Sequence, residues 1–254
     1  MPATTAWPSK SAPRLFVPGP LTEGASVPLE GGQAHYLGKV MRVAAGDGVI
    51  LCDDETGEWL ARVDEAGKRD VVLTVVQRLR PREGVPDFWL CAALTKKAAF
   101  DLVIEKATEL GVAALVPVLT RRCVADKLNP ERARTIMTEA AEQCARTALP
   151  MLAELAPLAA LLRDWPDGRQ LFFADELGGV PAATAFAMEY GPAALLVGPE
   201  GGFDDAERTM IRAHPATIAI TLGPRVLRAE TAAIAGTGLW MGTQGDWGGS
   251  ALGK

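Results

Sequence analysis

The residues best suited to binding chemistry lie in the stretch LLVGPEGGFDDAE, residues 195–207. An apolar run ends there at Gly198, and Gly201 and Gly202 follow shortly after. Glycines permit positive φ angles and carry no Cβ, so the backbone of such a loop can approach a small molecule closely. A tight turn between a strand and a helix, without any ligand, is the alternative interpretation.

This loop lacks the patterns of the common phosphate-binding loops. It contains no GxxxxGK[ST] and no GxGxxG after a strand, and Glu200 would repel a phosphate. Asp204 and Glu207 have the spacing of a capping box, which predicts that the loop leads from a strand end into a helix. In open α/β sheets, ligands bind at that edge. A neutral or positively charged ligand therefore fits this loop better than a phosphate.

A second stretch, TIAITLGPRVLRAETAAIAGTGLW at residues 217–240, repeats this arrangement. An apolar run is followed by Gly223, by a short basic segment and by a helix rich in small residues. Two loops at strand ends can form two walls of one pocket. Arg225, Arg228 and Glu230 are the charged candidates for chemistry there, and a surface loop with internal ion pairs is the alternative.

Composition excludes several classes of protein. No apolar run approaches the ~18 residues of a transmembrane helix, and the N-terminus lacks the apolar core of a signal peptide. The four cysteines and two histidines form no CxxC or HExxH motif, which argues against a disulfide framework and a metal site. Reduced thiols in a cytoplasmic protein are expected. The net charge of −5 argues mildly against non-specific nucleic-acid binding, although basic groups cluster locally.

The pattern along the chain predicts two domains. Short β-rich segments with turn signals, and one helix in GQAHYLGKVMRV, predict a small β-barrel over residues 14–82. After a Pro-rich break at 80–87, apolar runs alternate with helical stretches, which predicts a mostly parallel sheet covered by helices over 83–242. Residues 1–13 are expected to be a disordered leader, and 243–254 a loose Gly-rich tail.

Two helices have clear signals in the second part. AAFDLVIEKATELG has an apolar face and ends at Gly111, which suits a C-terminal cap. NPERARTIMTEAAEQCAR begins with Asn129 and Pro130, which suit the start of a helix. The polar face of this second helix includes Glu142, and a solvated face with helix ion pairs is the simplest interpretation of it.

Taken together, these stretches resemble a known family. LLVGPEGGF followed by LGPRVLRAETA is similar to the SPOUT superfamily of S-adenosylmethionine-dependent RNA methyltransferases, and within it to the bacterial 16S ribosomal RNA (uracil-N3)-methyltransferases. The resemblance extends to LTKKAAFDLVIEKATELGV, PVLTRRC, EAAEQCARTALP, RLFV and HYLGKVMRVAAGD. The chain departs from the family at Cys144 and Ala145, where Ser-Gly is frequent, and at Tyr36, where a second His is frequent.

The resemblance implies a fold and a cofactor. The fold is a PUA-like N-terminal barrel followed by a SPOUT-type α/β domain with a deep trefoil knot, which composition alone does not indicate. Loops around 172–176, 196–202 and 222–228 are implied to bind S-adenosylmethionine, without a metal. The expected cofactor-binding residues are Leu196, Val197, Gly198, Glu200, Gly201, Gly202, Leu222, Gly223, Val226 and Leu227.

The implied reaction is methylation of N3 of a uridine in the decoding region of 16S ribosomal RNA in the small ribosomal subunit. Uracil N3–H is weakly acidic, so the protein must remove the proton or stabilise the anion. Arg228 and Arg225 are candidates for stabilising the anion, and Glu230 or Glu142 for accepting the proton. The expected RNA contacts are Arg14, His35, Lys39, Arg42, Lys96, Arg121 and Arg122. A homodimer is implied, with the helix at 230–240 in its interface.

Two other functions stay open. A non-catalytic RNA-binding or ribosome-assembly factor with the same fold would bind RNA without the cofactor. A small-molecule α/β enzyme would use the GPEGG loop to bind an anion, would be inhibited by nucleotides and would be indifferent to RNA.

Overall fold

The computed structural model of the chain describes residues 12–67, 69–188 and 190–248. Residues 1–11 of the predicted leader and 249–254 of the predicted tail lie outside the described residues. The described chain divides into two units. The N-terminal unit extends to Gly84 and also includes Ala141–Ala148, and the C-terminal unit contains the rest.

The N-terminal unit is built on a five-stranded sheet. Its strands are β1 (Arg14–Phe16), β2 (Ser26–Glu30), β3 (Gly48–Cys52), β4 (Gly57–Ala66) and β5 (Asp70–Pro81). Their order is β1–β3–β4–β5–β2, with β1 parallel to β3 and the other neighbours antiparallel. Four of the strands confirm predicted segments. The sequence pattern did not predict β2, because this strand contains Pro28. Proline is tolerated there since β2 is an edge strand.

The predicted helix of the N-terminal unit is present, but with an unexpected form. Helix α1 (Gly31–His35) continues as a π-helical turn over Tyr36–Met41. Its buried residues are Ala34 and Leu37; of the residues with α-helical spacing in the sequence, Tyr36 and Val40 are exposed, whereas Val43 is half-buried against the core of this unit. The α-helical spacing of Tyr36, Val40 and Val43 therefore predicts the helix but only part of its buried face, because the segment is partly π-helical.

A buried carboxylate organises the turn between β3 and β4. Asp53 is only 6% exposed. Its oxygens accept hydrogen bonds from the backbone N–H groups of Leu21, Glu55, Thr56 and Gly57, and from the Thr56 hydroxyl. Burial alone would raise the pKa of Asp53, but these hydrogen bonds, led by that of the Thr56 side chain, lower it to about 2.

The C-terminal unit is built on an eight-stranded sheet in which every pair of neighbours is parallel. Its strands are β6 (Phe88–Ala93), β7 (Ala114–Leu119), β8 (Met151–Leu152), β9 (Ala156–Pro157), β10 (Gln170–Ala174), β11 (Val180–Pro181), β12 (Ala193–Val197) and β13 (Thr217–Thr221). The order is β11–β13–β10–β12–β6–β7–β8, and β9 also pairs with β7. The five longer strands confirm the predicted apolar runs, which lie at 88–94, 114–119, 170–174, 193–197 and 217–222. The implied trefoil knot stays a prediction.

Helices accompany this sheet as predicted. They are α2 (Lys97–Leu110), α3 (Pro130–Cys144), α4 (Leu158–Arg163), α5 (Ala182–Met188), α6 (Asp205–Ala213) and α7 (Ala229–Thr243), and a 3₁₀ turn follows at Asp246–Gly248. Gly111 caps α2 in the left-handed conformation, with φ of 96°. No helix among the described residues combines the length and the apolar character that crossing a membrane requires.

Two apolar clusters pack against the C-terminal sheet. Because alternate residues of a strand point to opposite faces, Leu195 belongs to one cluster and Leu196 to the other. Helix α7 packs closely in the first cluster: the Trp240 ring stacks on Phe88 at 4.2 Å, and a Cβ at Gly236 would lie 2.5 Å from a Leu195 methyl carbon. This packing fixes α7, whose first turn reaches the candidate site.

We expect Asp53→Ala to lower the free energy of unfolding by roughly 2–3 kcal/mol at pH 7, since it leaves buried backbone N–H groups without an acceptor. The Asp53 pKa is lowered from an ordinary value of 3.8 to about 2, so its contribution is complete above pH 3.8 and is lost as the pH falls through about 2. Chemical denaturation at neutral and acid pH measures both effects.

Asp47→Ala is the matched control, because Asp47 is exposed and its side chain accepts a single backbone N–H. If Asp53→Ala costs no more than Asp47→Ala at pH 7, Asp53 does not organise this turn.

Candidate active site

Three loops at the carboxyl edge of the parallel sheet enclose one cavity of about 420 Å³, called here the loop cavity. The loops follow β13, β10 and β12, which are adjacent in the sheet in that order. The cavity is lined by residues 174–176, 197–202 and 221–229, together with Ala232. The structure thus brings together the three segments that the family resemblance implies.

Nine of the ten residues expected to bind the cofactor line the loop cavity, and Leu196 does not. Leu196 is fully buried in the apolar cluster on one face of the sheet, whereas its neighbour Val197 belongs to the opposite cluster and lines the cavity. Sequence reasoning missed Asp175 and Glu176 as individual residues, although the implied loop at 172–176 includes them.

The glycines of the first loop serve two different purposes. Gly202 adopts a positive φ of 66°. A Cβ at Gly198 would lie 2.7 Å from the Phe203 ring, and one at Gly201 would lie 3.2 Å from the Arg122 Cβ. The sequence analysis named both properties of these glycines; the positive φ is used at Gly202, and the missing Cβ matters at Gly198 and Gly201.

An ion-pair cluster with Asp175 at its centre fixes the loop after β10. The Asp175 side chain is fully buried and accepts from Arg208 Nη1, from Arg212 Nε at 2.8 Å and from the Leu177 N–H at 3.0 Å. Arg208 also pairs with Glu176 at 2.6 Å. Burial lowers the pKa of Arg208, and the guanidinium groups nearby lower it further. Helix α6, which carries both arginines, therefore determines the position of this wall.

The predicted capping box at the start of α6 is confirmed and is tied to the loop after β7. Glu207 N–H donates to Asp204 Oδ1 at 2.7 Å, and Asp204 N–H donates to Glu207 Oε2 at 3.2 Å. The Arg121 N–H donates to Glu207 Oε1, and the Arg121 guanidinium pairs with Asp204 at 2.9 Å. Arg122 Nη1 donates to the carbonyl of Gly201 at 3.0 Å. Both arginines, predicted to contact RNA, thus also support the GPEGG loop.

Glu200 differs from the other carboxylates of the loop cavity. Its Oε1 accepts the N–H of Lys96, at the start of α2, at 3.2 Å. Within the described part of the chain, no cationic side chain forms an ion pair with Glu200. Its negative charge therefore remains available to a positively charged ligand.

The wall formed by the loop after β13 is cationic. Arg225 and Arg228 are exposed and line the loop cavity, and neither forms an ion pair with another described residue. This disfavours the alternative of a surface loop with internal ion pairs. Ala229 and Ala232 of the first turn of α7 also line the cavity, so the helix N-terminus adds partial positive charge there. Glu230 lies in the same turn and is half-buried, but does not line the cavity.

Two predicted site residues have internal partners in the N-terminal unit. Arg14 pairs with the buried Glu58 at 3.1 Å, and its side chain is 19% exposed. Glu142 Oε1 accepts the N–H of Phe16 at 2.8 Å. Each partner is distant in sequence, so the sequence pattern gives no signal for these roles.

The remaining predicted RNA contacts are at the surface. His35, Lys39 and Arg42 are exposed on the helical segment that begins with α1, and Lys96 is exposed at the start of α2. Among residues 12–67, 69–188 and 190–248, no group of three or more His, Cys, Asp or Glu side chains has the arrangement of a metal site.

Comparison with known proteins gives consistent matches. Residues 83–241 match the model of an RNA methyltransferase domain, and residues 29–76 match an RNA methyltransferase PUA domain. The ribosomal RNA small subunit methyltransferase E of Synechocystis sp. is 32% identical over 82% of this chain and 70% of its own length. That of Rickettsia conorii is 28% identical over 87% and 91%.

Among solved structures, the ribosomal RNA small subunit methyltransferase E of Neisseria gonorrhoeae, bound to S-adenosyl methionine, superposes with a TM-score of 0.84. The two proteins are 25% identical, and the match covers 93% of this chain and 99% of the other. The fold is therefore that of the SPOUT-type methyltransferases, with an N-terminal PUA domain.

We expect Asp175→Ala to lower the free energy of unfolding by roughly 2–3 kcal/mol, since the half-buried Arg208 then keeps only Glu176 as an ion-pair partner among the described residues. Hydrogen exchange of the backbone N–H groups at 175–178 should also accelerate. Denaturant unfolding and exchange mass spectrometry measure the two effects. The exposed pair Arg163–Asp164 provides the control, and an Asp175→Ala effect as small as that of Asp164→Ala would show that the cluster does not fix this wall.

Proposed function

Because this chain belongs to the RNA methyltransferase family, we propose that it methylates N3 of a uridine in the decoding region of 16S ribosomal RNA, in the assembled small subunit. The chain is an S-adenosylmethionine-dependent ribosomal RNA methyltransferase. The observation that carries the proposal is the loop cavity, in which a carboxylate and two arginines that form no ion pair with any described residue lie on different walls.

The residues of the loop cavity fit S-adenosylmethionine. That cofactor, when bound, supplies an electrophilic methyl group on a sulfonium cation. Leu222, Val226 and Leu227 supply apolar surface, and the glycines leave backbone groups accessible for hydrogen bonds. Glu200 favours a cation and disfavours a phosphate. The cavity volume of about 420 Å³ falls in the range usual for sites of this kind.

The proposed reaction places a second demand on the chain. The N3 proton must pass to a base before N3 can attack the methyl carbon, and the negative charge is then shared with the uracil O2 and O4 until the N3–methyl bond has formed. Arg228 lines the cavity and forms no ion pair within the described part of the chain, so its guanidinium can stabilise this charge, and Arg225 can assist it. The N-terminus of α7 adds partial positive charge beside these arginines.

Glu230 is the better of the two candidate proton acceptors. It lies in the first turn of α7, two residues after Arg228. One oxygen of Glu142 already accepts a hydrogen bond from the Phe16 N–H, within the N-terminal unit. The proposed RNA contacts are the exposed His35, Lys39, Arg42, Lys96, Arg121 and Arg122, whereas the internal ion pair of Arg14 argues for a structural role.

The proposal includes a homodimer that forms through α7. The exposed residues of this helix make a narrow stripe of mostly small side chains, which permits close helix packing; they are Thr231, Ala235, Leu239, Gly242 and Thr243. Size-exclusion chromatography with light scattering measures the oligomeric state directly.

The function is tested by incubating the protein with labelled S-adenosylmethionine and either small ribosomal subunits or naked 16S ribosomal RNA. Nucleoside mass spectrometry and reverse transcription should then identify a single N3-methyluridine, since a methyl group at N3 blocks base pairing. Methylation at another atom would overturn the assigned chemistry. RNA binding without any transfer would favour a non-catalytic assembly factor.

We expect Gly223→Val to abolish S-adenosylmethionine binding without unfolding the protein. Gly223 lines the loop cavity at φ of 115°, and a Cβ added there would have no protein atom within 4 Å. The substitution therefore strains the loop and fills ligand space. Gly168→Val is the matched control, with φ of 76° and equally open surroundings away from the cavity. Calorimetric titration of both folded variants with S-adenosylmethionine tests this expectation. Equal affinities would show that Gly223 is not part of the cofactor site.

We expect Arg228→Ala to reduce the methyl-transfer rate by roughly 10²–10³-fold while changing the affinity for either ligand much less. The guanidinium interaction strengthens only as the uracil anion develops, so it belongs to the transition state. Arg228→Lys should recover part of the rate, since it restores the charge without the planar fork. Higher pH should help the alanine variant more than the wild type, because solvent then supplies more of the deprotonated base.

Single-turnover rates with saturating small subunits, measured across pH, test these expectations. Arg163→Ala, an exposed arginine on α4, is the control. An Arg228→Ala protein that keeps its rate but loses affinity for S-adenosylmethionine would show that Arg228 binds the cofactor instead.

A further inference from the structure

A second cavity of about 300 Å³ lies in the C-terminal unit, at the starts of helices α2 and α3. We call it the lysine cavity, because Lys97 and Lys127 are part of its wall. We propose that it binds a nucleotide of the RNA substrate that adjoins the methylated uridine. This inference rests on the proposed function and adds a binding site that the methyl-transfer chemistry does not itself require.

The lysine cavity is a direct neighbour of the loop cavity. Thr95 and Lys97 line the lysine cavity. The residue between them, Lys96, donates its backbone N–H to Glu200 Oε1 at 3.2 Å, and Glu200 lines the loop cavity. An RNA strand that places one base at the loop cavity would therefore pass over the lysine cavity with an adjoining nucleotide.

The charge of the lysine cavity suits a phosphate. Lys97 and Lys127 are exposed, and neither has an ion-pair partner among the described residues. Arg132 also lines the cavity and forms a two-pronged pair with Asp101, at 2.7 and 3.3 Å. Three cations thus face one carboxylate. The N-termini of two long helices at the same place favour an anion further.

The floor of the lysine cavity suits a base. Phe100, Ile104 and Ala133 are buried members of an apolar cluster that supply this floor. Asn129 lies at the wall: its Oδ1 caps α3 by accepting the Arg132 N–H at 3.0 Å, which leaves its amide NH₂ to donate to a ligand. An apolar floor, a few hydrogen-bonding groups and a cationic rim are what an unstacked nucleotide of single-stranded RNA requires.

Two variants test the phosphate and the base contributions separately. Lys97→Ala combined with Lys127→Ala removes two exposed charges, and Ala125→Phe fills the cavity from its half-buried rim. Lys106→Ala is the control, because Lys106 lies on the same helix and pairs with Glu105 and Glu109 outside this cavity. Melting temperatures establish that each variant is folded, and calorimetry with S-adenosylmethionine should give wild-type affinity for all three.

Filter binding of naked 16S ribosomal RNA and of small subunits, over a range of salt concentrations, gives the decisive measurement. The double lysine variant should bind on the order of tenfold more weakly, and its salt dependence should fall by about 0.7 in log–log slope for each lost phosphate contact. Ala125→Phe should raise the Kd for RNA with an unchanged salt slope. Wild-type RNA affinity and slope in both variants would overturn the proposal.

The outcomes distinguish this inference from the proposed function. A wild-type protein that methylates uridine N3, with lysine-cavity variants that bind RNA normally, would refute the second site alone. A wild-type protein that transfers no methyl group would refute the proposed function, and the RNA affinities of the variants would still decide whether the lysine cavity binds RNA.

Discussion

The parallel direction of β13, β10 and β12 is the constraint on which the rest of the site depends. Parallel neighbours end at one edge of the sheet, so the three loops that follow them must meet there. Both faces of the sheet are covered by apolar clusters, which leaves this edge as the place where polar groups can gather. The loop cavity therefore follows from the strand order before any particular side chain is considered.

The charged groups around that edge have two roles: some fix the loops, and others remain available to ligands. Asp175 and Glu176 face the loop cavity, but the arginines of α6 neutralise them and use them to fix a loop. Glu200 is held only through a backbone N–H, and Arg228 has no ion-pair partner among the described residues. The resulting separation of an acidic wall from a basic wall suits a cationic methyl donor on one side and a base that becomes anionic on the other.

Sequence reasoning succeeded where a local pattern is tied to a local structure. The long strands follow apolar runs, the start of α6 follows the Asp204–Glu207 capping box, and two of the cavity loops follow from glycines at strand ends. The family resemblance then indicated the third loop, which follows β10. Its first residues lack the glycines that mark the other two loops.

Sequence reasoning has no signal where a residue's partners are distant in the chain or where neighbouring residues of a strand point to opposite faces. The role of Asp175 depends on Arg208 and Arg212, more than thirty positions later, and Arg14 and Glu142 are likewise held by distant partners. Leu196 and Val197 are neighbours that point to opposite faces of the sheet, and of the two only Val197 lines the loop cavity. The π-helical turn after α1 shifted the buried face in a way that no α-helical period can predict.

The central claim is that the loop cavity selects a sulfonium cation over a phosphate. Its most direct test is a calorimetric titration of the unmodified protein with S-adenosylmethionine, repeated in the presence of ATP. The account predicts one binding event per chain that ATP does not displace, because Glu200 opposes the phosphates while the glycine loops accept the adenosine portion that both ligands share. Absence of binding at millimolar S-adenosylmethionine, or its displacement by ATP at comparable concentration, would contradict it.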